Sequence, residues 1–438
     1  MDKSKVMLLL VMCLAGLMAA GQVRFSSLEA VWAYADAHSI DIRSAHVNEE
    51  LAALGAKSAR GRLLPVVTAN GAFTDNVRIQ QTLVPAKLFN PAAPEGVYTE
   101  ASFGRRYIYT GNVVAQLDLL NLSSWFSLKA ARLQECITSI EVEQTKKDLY
   151  GQLADSYFSS LLLQEAEKLA EENVTATNGL YATALNKYKE GLISEPVLNT
   201  ALINKRKAEQ SLQTAQQQML LQLNNLRILL QLPDSIVLSP ATVPADSVTG
   251  TMAFVPDPST QLAQQQLLLA KNSWQASKAA YAPVLSAVYQ FSTQVAADDF
   301  LQFGNSNTMP QQYWGLRLSV PLFSGGSRKY EVARSKKIYD LRQQQYEAIR
   351  LQSSIAQDNL LLARNSAASS WQQSAHILAL YRSNDAHAAR KMEEGLLSLE
   401  ERLKVYSDLL TYQETYLHTL NDYFIQQYRL LLQQTNFK

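Results

Sequence analysis

Four segments of about ten residues alternate apolar and polar side chains along the chain. They span residues 66–75, 107–118, 284–295 and 312–320. A period of two predicts β-strands with one apolar face, and ten residues is the length of a tilted strand that crosses a bilayer. The strands of a soluble sandwich alternate in the same way. The apolar faces here are rich in Tyr, Phe and Trp, which favours a membrane location.

Long stretches without proline predict long helices. No proline lies between Pro94 and Pro196 or after Pro321. Residues 123–189 as one helix would reach about 100 Å at 1.5 Å per residue. Beyond Pro196, two interleaved rows with a spacing of seven residues predict the seam of a coiled coil. The rows are Leu198, Lys205, Leu212, Met219 and Leu226, and Ala201, Ala208, Ala215, Gln222 and Leu229.

The chain contains an internal duplication. Residues 187–194 recur as residues 391–398, 204 positions later, and residues 118–121 align with 321–324 at an offset of 203. Farther upstream the offset rises to 218, so the first half carries about 15 extra residues before residue 118. Each half has the pattern of a strand, a loop, a strand and long helices. The glycine in each copy of the repeated motif is typical of a helix C-cap, which here closes a helical hairpin.

The duplication predicts the domain boundaries. A first repeat of residues 22–230 contains an N-terminal helix, two strands and a long helical hairpin. A second repeat of residues 261–438 contains the same kinds of element. Residues 231–260 hold five prolines, so they are expected to form a Pro-rich linker or a small irregular domain between the repeats.

The N-terminus has the pattern of a secretory signal peptide. Lys3 and Lys5 precede thirteen apolar residues, and small residues at positions 19 and 21 fit a cleavage site before Gln22. The predicted signal peptide is therefore residues 1–21. An uncleaved anchor is the alternative, although the apolar run is too short to span a bilayer stably. Lipidation at Cys13 is disfavoured, because a bulky Met precedes Cys13 and because it lies inside the apolar run.

Composition excludes several classes of function. The chain carries 40 Lys and Arg against 39 Asp and Glu, and no basic patch stands out, so nucleic acid is not an expected partner. The five histidines show no ligand spacing and no phosphate-binding loop is present, so the sequence predicts no metal, no cofactor and no enzyme. No apolar run after residue 21 is long enough for a transmembrane helix. A membrane crossing would use the strands, and four strands must oligomerise to pair their edges.

In this order and spacing the motifs resemble the TolC-type outer-membrane efflux protein family. The resemblance rests on the duplication, on Gly-Leu-Ile-Ser at 191–194, on Gly-Leu-Leu-Ser at 395–398, and on residues 320–326 and 129–132. It implies an α+β membrane protein: a homotrimeric β-barrel with four strands per chain, continued by a long α-helical coiled-coil barrel. It also implies the exit duct of a tripartite efflux or type I secretion system in the outer membrane, extending into the periplasm. The implied partners are a periplasmic adaptor and, through it, an inner-membrane pump.

The resemblance assigns roles to particular residues. Adaptor docking would fall on the helical tips, Gly191, Leu192, Ile193, Ser194, Gly395, Leu396, Leu397 and Ser398. The same residues could serve only as capping turns, and the two roles are compatible. Transitions between barrel and helices would fall on Pro65, Pro283, Pro321, Gly325 and Gly326.

The tips are also the expected place of a periplasmic gate. The lock of the best-studied member of the family uses a Tyr, an Arg and acidic residues near this turn. The Tyr and Arg positions are Met392 and Leu397 in this chain, and the acidic positions are Val197, Glu401 and Lys404. Most of that lock is therefore absent.

The candidate gate residues of this chain are Glu400, Glu401 and Lys404. A ring of carboxylates, repeated by the symmetry of an oligomer, would favour cations at the entrance. The alternative is a solvated helix face on which the two glutamates pair with Arg402 or Lys404.

Two other functions stay open from the sequence. A secreted periplasmic coiled-coil scaffold without channel activity would explain the seven-residue rows but not the four alternating segments. A soluble periplasmic enzyme would need a site that the sequence does not show. The cargo (drug, metal or protein) and the pump class are not encoded, and the absence of Met or His clusters along the predicted lumen argues against dedicated copper export.

Overall fold

A computed structural model describes residues 22–239, 257–301, 303–304 and 306–435. The predicted signal peptide and most of the Pro-rich segment, residues 240–256, lie outside the described residues. The chain divides into two compact units. We call residues 50–137 and 264–345 the sheet unit, and the described residues outside those two ranges the helical unit.

The described residues form eight strands and seven α-helices. The strands are β1 Gln22–Phe25, β2 Val66–Asp75, β3 Gln81–Pro85, β4 Tyr98–Ser102, β5 Tyr107–Leu120, β6 Ser235–Leu238, β7 Val284–Ala297 and β8 Asn307–Ser319. The helices are α1 Leu28–His38, α2 Ile40–Gly61, α3 Leu122–Lys189, α4 Glu195–Leu230, α5 Pro258–Ala279, α6 Ser327–Glu393 and α7 Leu399–Gln434.

Four antiparallel strands form the main sheet of the sheet unit, in the order β2-β5-β7-β8. β2 has the predicted bounds, and β5 and β7 each extend two residues beyond them. β8 begins at Asn307 rather than at the predicted residue 312. Pro310 and the polar residues beside it interrupt the alternation, whereas pairing with β7 continues to Asn307. Pairing with the neighbouring strand, rather than the side-chain pattern, therefore sets where β8 begins.

The two faces of this sheet differ in polarity. Residues that pair across neighbouring strands share a face, and one such row joins Asn70, Asn112, Ser292 and Gln311. Asn70 donates its side-chain N–H to the amide oxygen of Asn112 at 3.1 Å. The other face carries aromatic and aliphatic side chains, many of them exposed, such as Trp314. The sheet therefore has one polar and one apolar face, as the alternation predicts.

A separate hairpin is inserted between β2 and β5. Its strands β3 and β4 pair with each other in a two-stranded sheet, and a 3-10 turn, Ala86–Leu88, follows β3. This insertion accounts for the extra residues of the first half of the chain. The sequence predicts only a loop here, because five-residue strands interrupted by Pro85 are too short for the alternation to be visible.

Two long helical hairpins follow the strands. α3 has 68 residues and α6 has 67, and each leads through a short turn into a 36-residue helix, α4 or α7. Ala201, Ala208 and Ala215 are buried along α4, so one predicted row lies where helices approach closely. Leu198 and Leu212 of the other row are half-buried. None of the described helices is long and apolar enough to cross a membrane.

Aromatic side chains fill the core of the helical unit. Trp32 of α1 stacks on Tyr150 of α3 with ring centroids 4.8 Å apart, and its indole N–H donates to the Tyr150 carbonyl at 3.2 Å. Phe158 of α3 stacks on Phe424 and Tyr428 of α7. A parallel pair of four-residue strands, β1 and β6, packs into the same core. The sequence did not predict this pair, because its strands are short and lie more than 200 residues apart.

Replacing Leu226 with alanine is expected to lower the free energy of unfolding by about 2–5 kcal/mol, since truncation of a buried leucine leaves a cavity. Leu226 is fully buried in this core. Leu226→Met conserves the volume and is expected to cost less than about 1.5 kcal/mol. Denaturant unfolding followed by circular dichroism measures both variants, and equal losses would contradict the packing described here.

Candidate functional site

The two helical hairpins end in turns of the same geometry. Gly191 and Gly395 adopt left-handed φ angles of 73° and 75°. The next residue, Leu192 or Leu396, donates its N–H at 2.8 Å to the carbonyl of the lysine four residues before the glycine. This pairing is typical of a helix C-terminus that requires glycine, because side chains with a Cβ disfavour positive φ. The predicted C-cap glycines are confirmed.

Each turn exposes one leucine at its tip. Leu192 is 67% exposed and Leu396 is 73% exposed. The next residues, Ile193 and Leu397, are half-buried, and Ile193 packs against the cluster beneath the turns. The duplication therefore presents an apolar side chain at equivalent positions of the two hairpins.

The helices that leave these turns begin differently. Ser194 makes no side-chain hydrogen bond to the start of α4, where Pro196 lies in the first turn. Ser398 forms a capping box with Glu401: its hydroxyl accepts from the Glu401 N–H at 3.2 Å, and its own N–H donates to the Glu401 carboxylate at 3.2 Å. The Ser398 hydroxyl also donates to this carboxylate at 2.9 Å. These hydrogen bonds lower the pKa of Glu401 below its ordinary value.

The charged side chains beside this turn do not pair as the sequence suggested. Glu401 bonds to Ser398, and Arg402 donates to Asp385 near the end of α6. Arg402 is only 6% exposed. Glu400 in the first turn of α7 and Lys404 in the second are exposed. Pairing of the glutamates with Arg402 is therefore wrong, because Arg402 is engaged in a buried ion pair within its own hairpin.

An apolar cluster joins the two hairpins beneath the turns. The first hairpin contributes Leu180, Ala184 and Ala201, and the second contributes residues of α6 and α7 that include Leu399 and Leu403. Two of the positions that hold lock residues in the best-studied family member, Met392 and Val197, pack against the same cluster. Apolar packing therefore takes the place of polar bonds at these two positions.

One polar network crosses from the second hairpin to the first beside this cluster. The Tyr406 hydroxyl donates to the Asn173 side-chain oxygen at 3.0 Å, and the Asn173 amide donates to Gln413 at 2.8 Å. Burial, together with the negative charge of Asp385, raises the pKa of Tyr406 to about 12. The phenol is therefore neutral and acts as a donor. The sequence did not reveal this network, because Asn173 and Tyr406 are 233 residues apart.

The predicted transition residues lie at the ends of strands and helices. Pro65 immediately precedes β2 and Pro283 immediately precedes β7, whereas Pro321 follows β8 by two residues. Gly325 and Gly326 adopt φ angles of 61° and 82° just before α6. The connection from β8 to α6 thus depends on backbone conformations that glycine adopts readily.

Comparison with known proteins gives a family match over part of the chain and a shared fold. Residues 33–230 match the family model of outer membrane efflux proteins. No curated protein matches the chain. The described residues also contain no group of three or more His, Cys, Asp or Glu that could hold a metal ion.

Solved structures of outer-membrane channels share the fold over nearly the whole chain. CusC aligns with a TM-score of 0.76 at 17% identity, covering 92% of this chain and 91% of that one. The Campylobacter jejuni outer membrane channel CmeC aligns with 0.75 at 15%, covering 93% and 84%. VceC from Vibrio cholerae aligns with 0.71 at 16%, covering 94% and 97%.

These findings confirm the resemblance that the duplicated motifs indicated. The family match covers residues 33–230, and the shared fold extends over more than 90% of the chain. Members of this family are channels and not enzymes, which agrees with the prediction that the chain has no catalytic site. Over residues 33–230, less than half of its length, the chain is similar to the outer membrane efflux protein family.

Proposed function

We propose that the chain is the exit duct of a tripartite efflux or type I secretion system, secreted by a signal peptide at residues 1–21. Three copies form a twelve-stranded barrel in the outer membrane, and their helices continue the duct into the periplasm. The observation that carries this proposal is the four-stranded sheet with one polar and one apolar face, in a chain whose residues 33–230 match the efflux family model.

The open edges of the sheet support closure between copies. β2 and β8 each pair with one neighbour in the sheet, so each leaves a row of backbone groups without a partner strand. Such groups cost several kcal/mol each in a bilayer. Pairing of β2 with β8 of a neighbouring copy removes both edges. The number three comes from the family resemblance.

The polarity of each face of the sheet indicates whether that face contacts lipid or water. The apolar face, with exposed Trp314, Leu316 and Leu318, meets lipid. The opposite face carries Asn70, Asn112 and their polar neighbours and lines a water-filled lumen. A secreted scaffold without channel activity has no use for such an exposed apolar face.

The helical tips form the docking surface for the periplasmic adaptor. Leu192 and Leu396 present two exposed apolar side chains per chain, held on rigid glycine turns. The adaptor then connects the duct to an inner-membrane pump. The cargo is a small molecule or a protein.

The second hairpin forms the periplasmic gate, with Glu400, Glu401 and Lys404 as its charged residues. The network of Tyr406, Asn173 and Gln413 ties this hairpin to the first. Opening requires the second hairpin to move relative to the first, and therefore requires this tie to break.

In planar bilayers the purified protein is expected to give small cation-selective currents, and Glu400→Gln/Glu401→Gln is expected to remove the selectivity. Glutamine keeps a capping side chain at position 401. The lowered pKa of Glu401 keeps its carboxylate charged as the pH falls through the ordinary range of glutamate, so selectivity is expected to persist in mild acid. The matched control is Glu190→Gln/Glu195→Gln at the first hairpin. Unchanged reversal potentials in the double variant at positions 400 and 401 would discard the carboxylate ring but keep the channel.

Tyr406→Phe is expected to raise the open probability of the channel. It removes the donor to the half-buried Asn173 side-chain oxygen, which weakens the closed arrangement by about 0.5–1.5 kcal/mol. Tyr412→Phe is the control, because Tyr412 stacks on Tyr381 without a hydrogen bond to it. Single-channel recordings measure both variants, and equal open probabilities in Tyr406→Phe and wild type would remove the network from the gate.

Leu396→Ser is expected to weaken adaptor binding about tenfold, because it removes an apolar side chain that the adaptor buries. Leu220→Ser provides a control at a leucine of similar exposure on α4, away from the tips. Co-purification with the adaptor and bilayer conductance are measured together. Normal binding by Leu396→Ser would move the docking surface away from the tips.

A further inference from the structure

The helical segments next to the main sheet collect positive charge. Residues 50–62, 122–137, 264–279 and 327–345 contain 13 Lys and Arg against four Asp and Glu, a net charge of +9. The whole chain has a net charge of only +1. We call the Lys and Arg side chains of these four segments the basic collar.

Among the residues that the structure describes, most of the collar side chains form no ion pair. Arg334 lies 3.4 Å from Glu331, and Lys278 lies over the ring of Trp274 at 3.6 Å. Lys57, Lys129 and Lys329 are exposed and form no ion pair with the described residues. The collar therefore produces a positive potential in the solvent around it.

The collar lies beside one end of the main sheet, the end at which β2 begins and β5 and β8 end. Arg60 precedes β2 by six residues, Lys129 follows β5 by nine, and Lys329 follows β8 by ten. Along a helix, nine residues span about 14 Å at 1.5 Å per residue. The polar headgroup layers together add about 10–15 Å to the hydrocarbon thickness of a bilayer. Each of the two layers takes half of this, about 5–8 Å, so the basic residues nearest the strands, with their long side chains, reach a headgroup layer that surrounds the end of the sheet.

Exposed aromatic side chains lie among the basic ones. Trp125 is in the first turn of α3, Phe323 lies between β8 and α6, and Tyr330 is in the first turn of α6, and all three are exposed. Aromatic residues are enriched at the boundary between lipid and water. A lumen filled with water would leave them without an apolar neighbour, so they favour a collar that faces lipid.

We propose that the basic collar binds the anionic headgroups of phospholipids in the periplasm-facing leaflet of the outer membrane. This inference rests on the proposed function, since it requires the apolar face of the sheet to lie in that membrane. Charge complementarity carries it: a Lys or Arg near an anionic membrane surface strengthens binding about fivefold. The collar thereby adds an electrostatic anchor to the apolar band and fixes the depth of the sheet in the bilayer.

Tryptophan quenching by brominated lipids tests the proposal in reconstituted protein. The measurement compares Trp314→Phe with Trp314→Phe/Trp125→Phe. The difference in fluorescence between these two proteins reports on Trp125 beside the collar. Brominated phosphatidylglycerol and brominated phosphatidylcholine are compared in vesicles. Brominated phosphatidylglycerol is expected to quench Trp125 at a lower fraction of the lipid, and high salt is expected to reduce this preference.

A variant that lacks four basic side chains tests whether the collar, rather than another part of the chain, causes the preference for anionic lipid. Lys57→Gln, Arg60→Gln, Lys129→Gln and Lys329→Gln together are expected to reduce the preference for the anionic lipid about tenfold or more. The control removes four exposed basic side chains of the helical unit. It consists of Arg24→Gln, Arg43→Gln, Lys207→Gln and Arg382→Gln.

The outcomes distinguish the collar from the channel when bilayer conductance is measured on the same samples. Equal quenching by both lipids, or an undiminished lipid preference in the collar variant, overturns the proposal that the collar binds anionic lipid. If the same samples conduct, the proposed channel function is unaffected. A collar variant that changes the reversal potential without changing lipid preference places these charges in the lumen and also overturns it. A wild-type protein that neither inserts nor conducts overturns the proposed function and the collar with it.

Discussion

Backbone hydrogen bonding at the two edges of the main sheet is the constraint on which the rest of this structure depends. Among the described residues, β2 and β8 each have one side without a partner strand, and the lipid proposed to surround the sheet cannot pair those groups. In the proposed channel, this four-stranded sheet with its apolar face is therefore one segment of a closed barrel. Two of the long helices, α3 and α6, begin within eight residues of the ends of β5 and β8. The positions of these strands therefore determine where the two helices begin.

The two helical hairpins are alike in their turns and unlike in their bonds. Gly191 and Gly395 hold the same left-handed conformation, so the tips have a common shape. The second hairpin adds a capping box at Ser398 and a buried ion pair between Arg402 and Asp385. The two hairpins thus share the shape of their tips, and the additional bonds of the second hairpin fix the start of α7 more firmly than that of α4.

The elements that could be predicted from the sequence are those whose signal is local. Alternation located β2 with its bounds, and the glycines at 191 and 395 located the helix ends, because periodicity and φ preference act over a few residues. The pair of β1 and β6, and the bond between Tyr406 and Asn173, join residues more than 200 positions apart. No local pattern carries such information. The basic collar was missed for the same reason, since four separate segments bring its charges together and the net charge of +1 conceals them.

The inserted hairpin of β3 and β4 has a consequence for how the protein can vary. Its strands pair with each other and not with the main sheet, so its length and composition are uncoupled from the register of the strands on either side. Insertions or foreign peptides placed near Ala86–Leu88 would lengthen a self-contained ribbon and leave the four-stranded pairing intact. This ribbon is where the chain can accept an inserted sequence while its architecture stays the same.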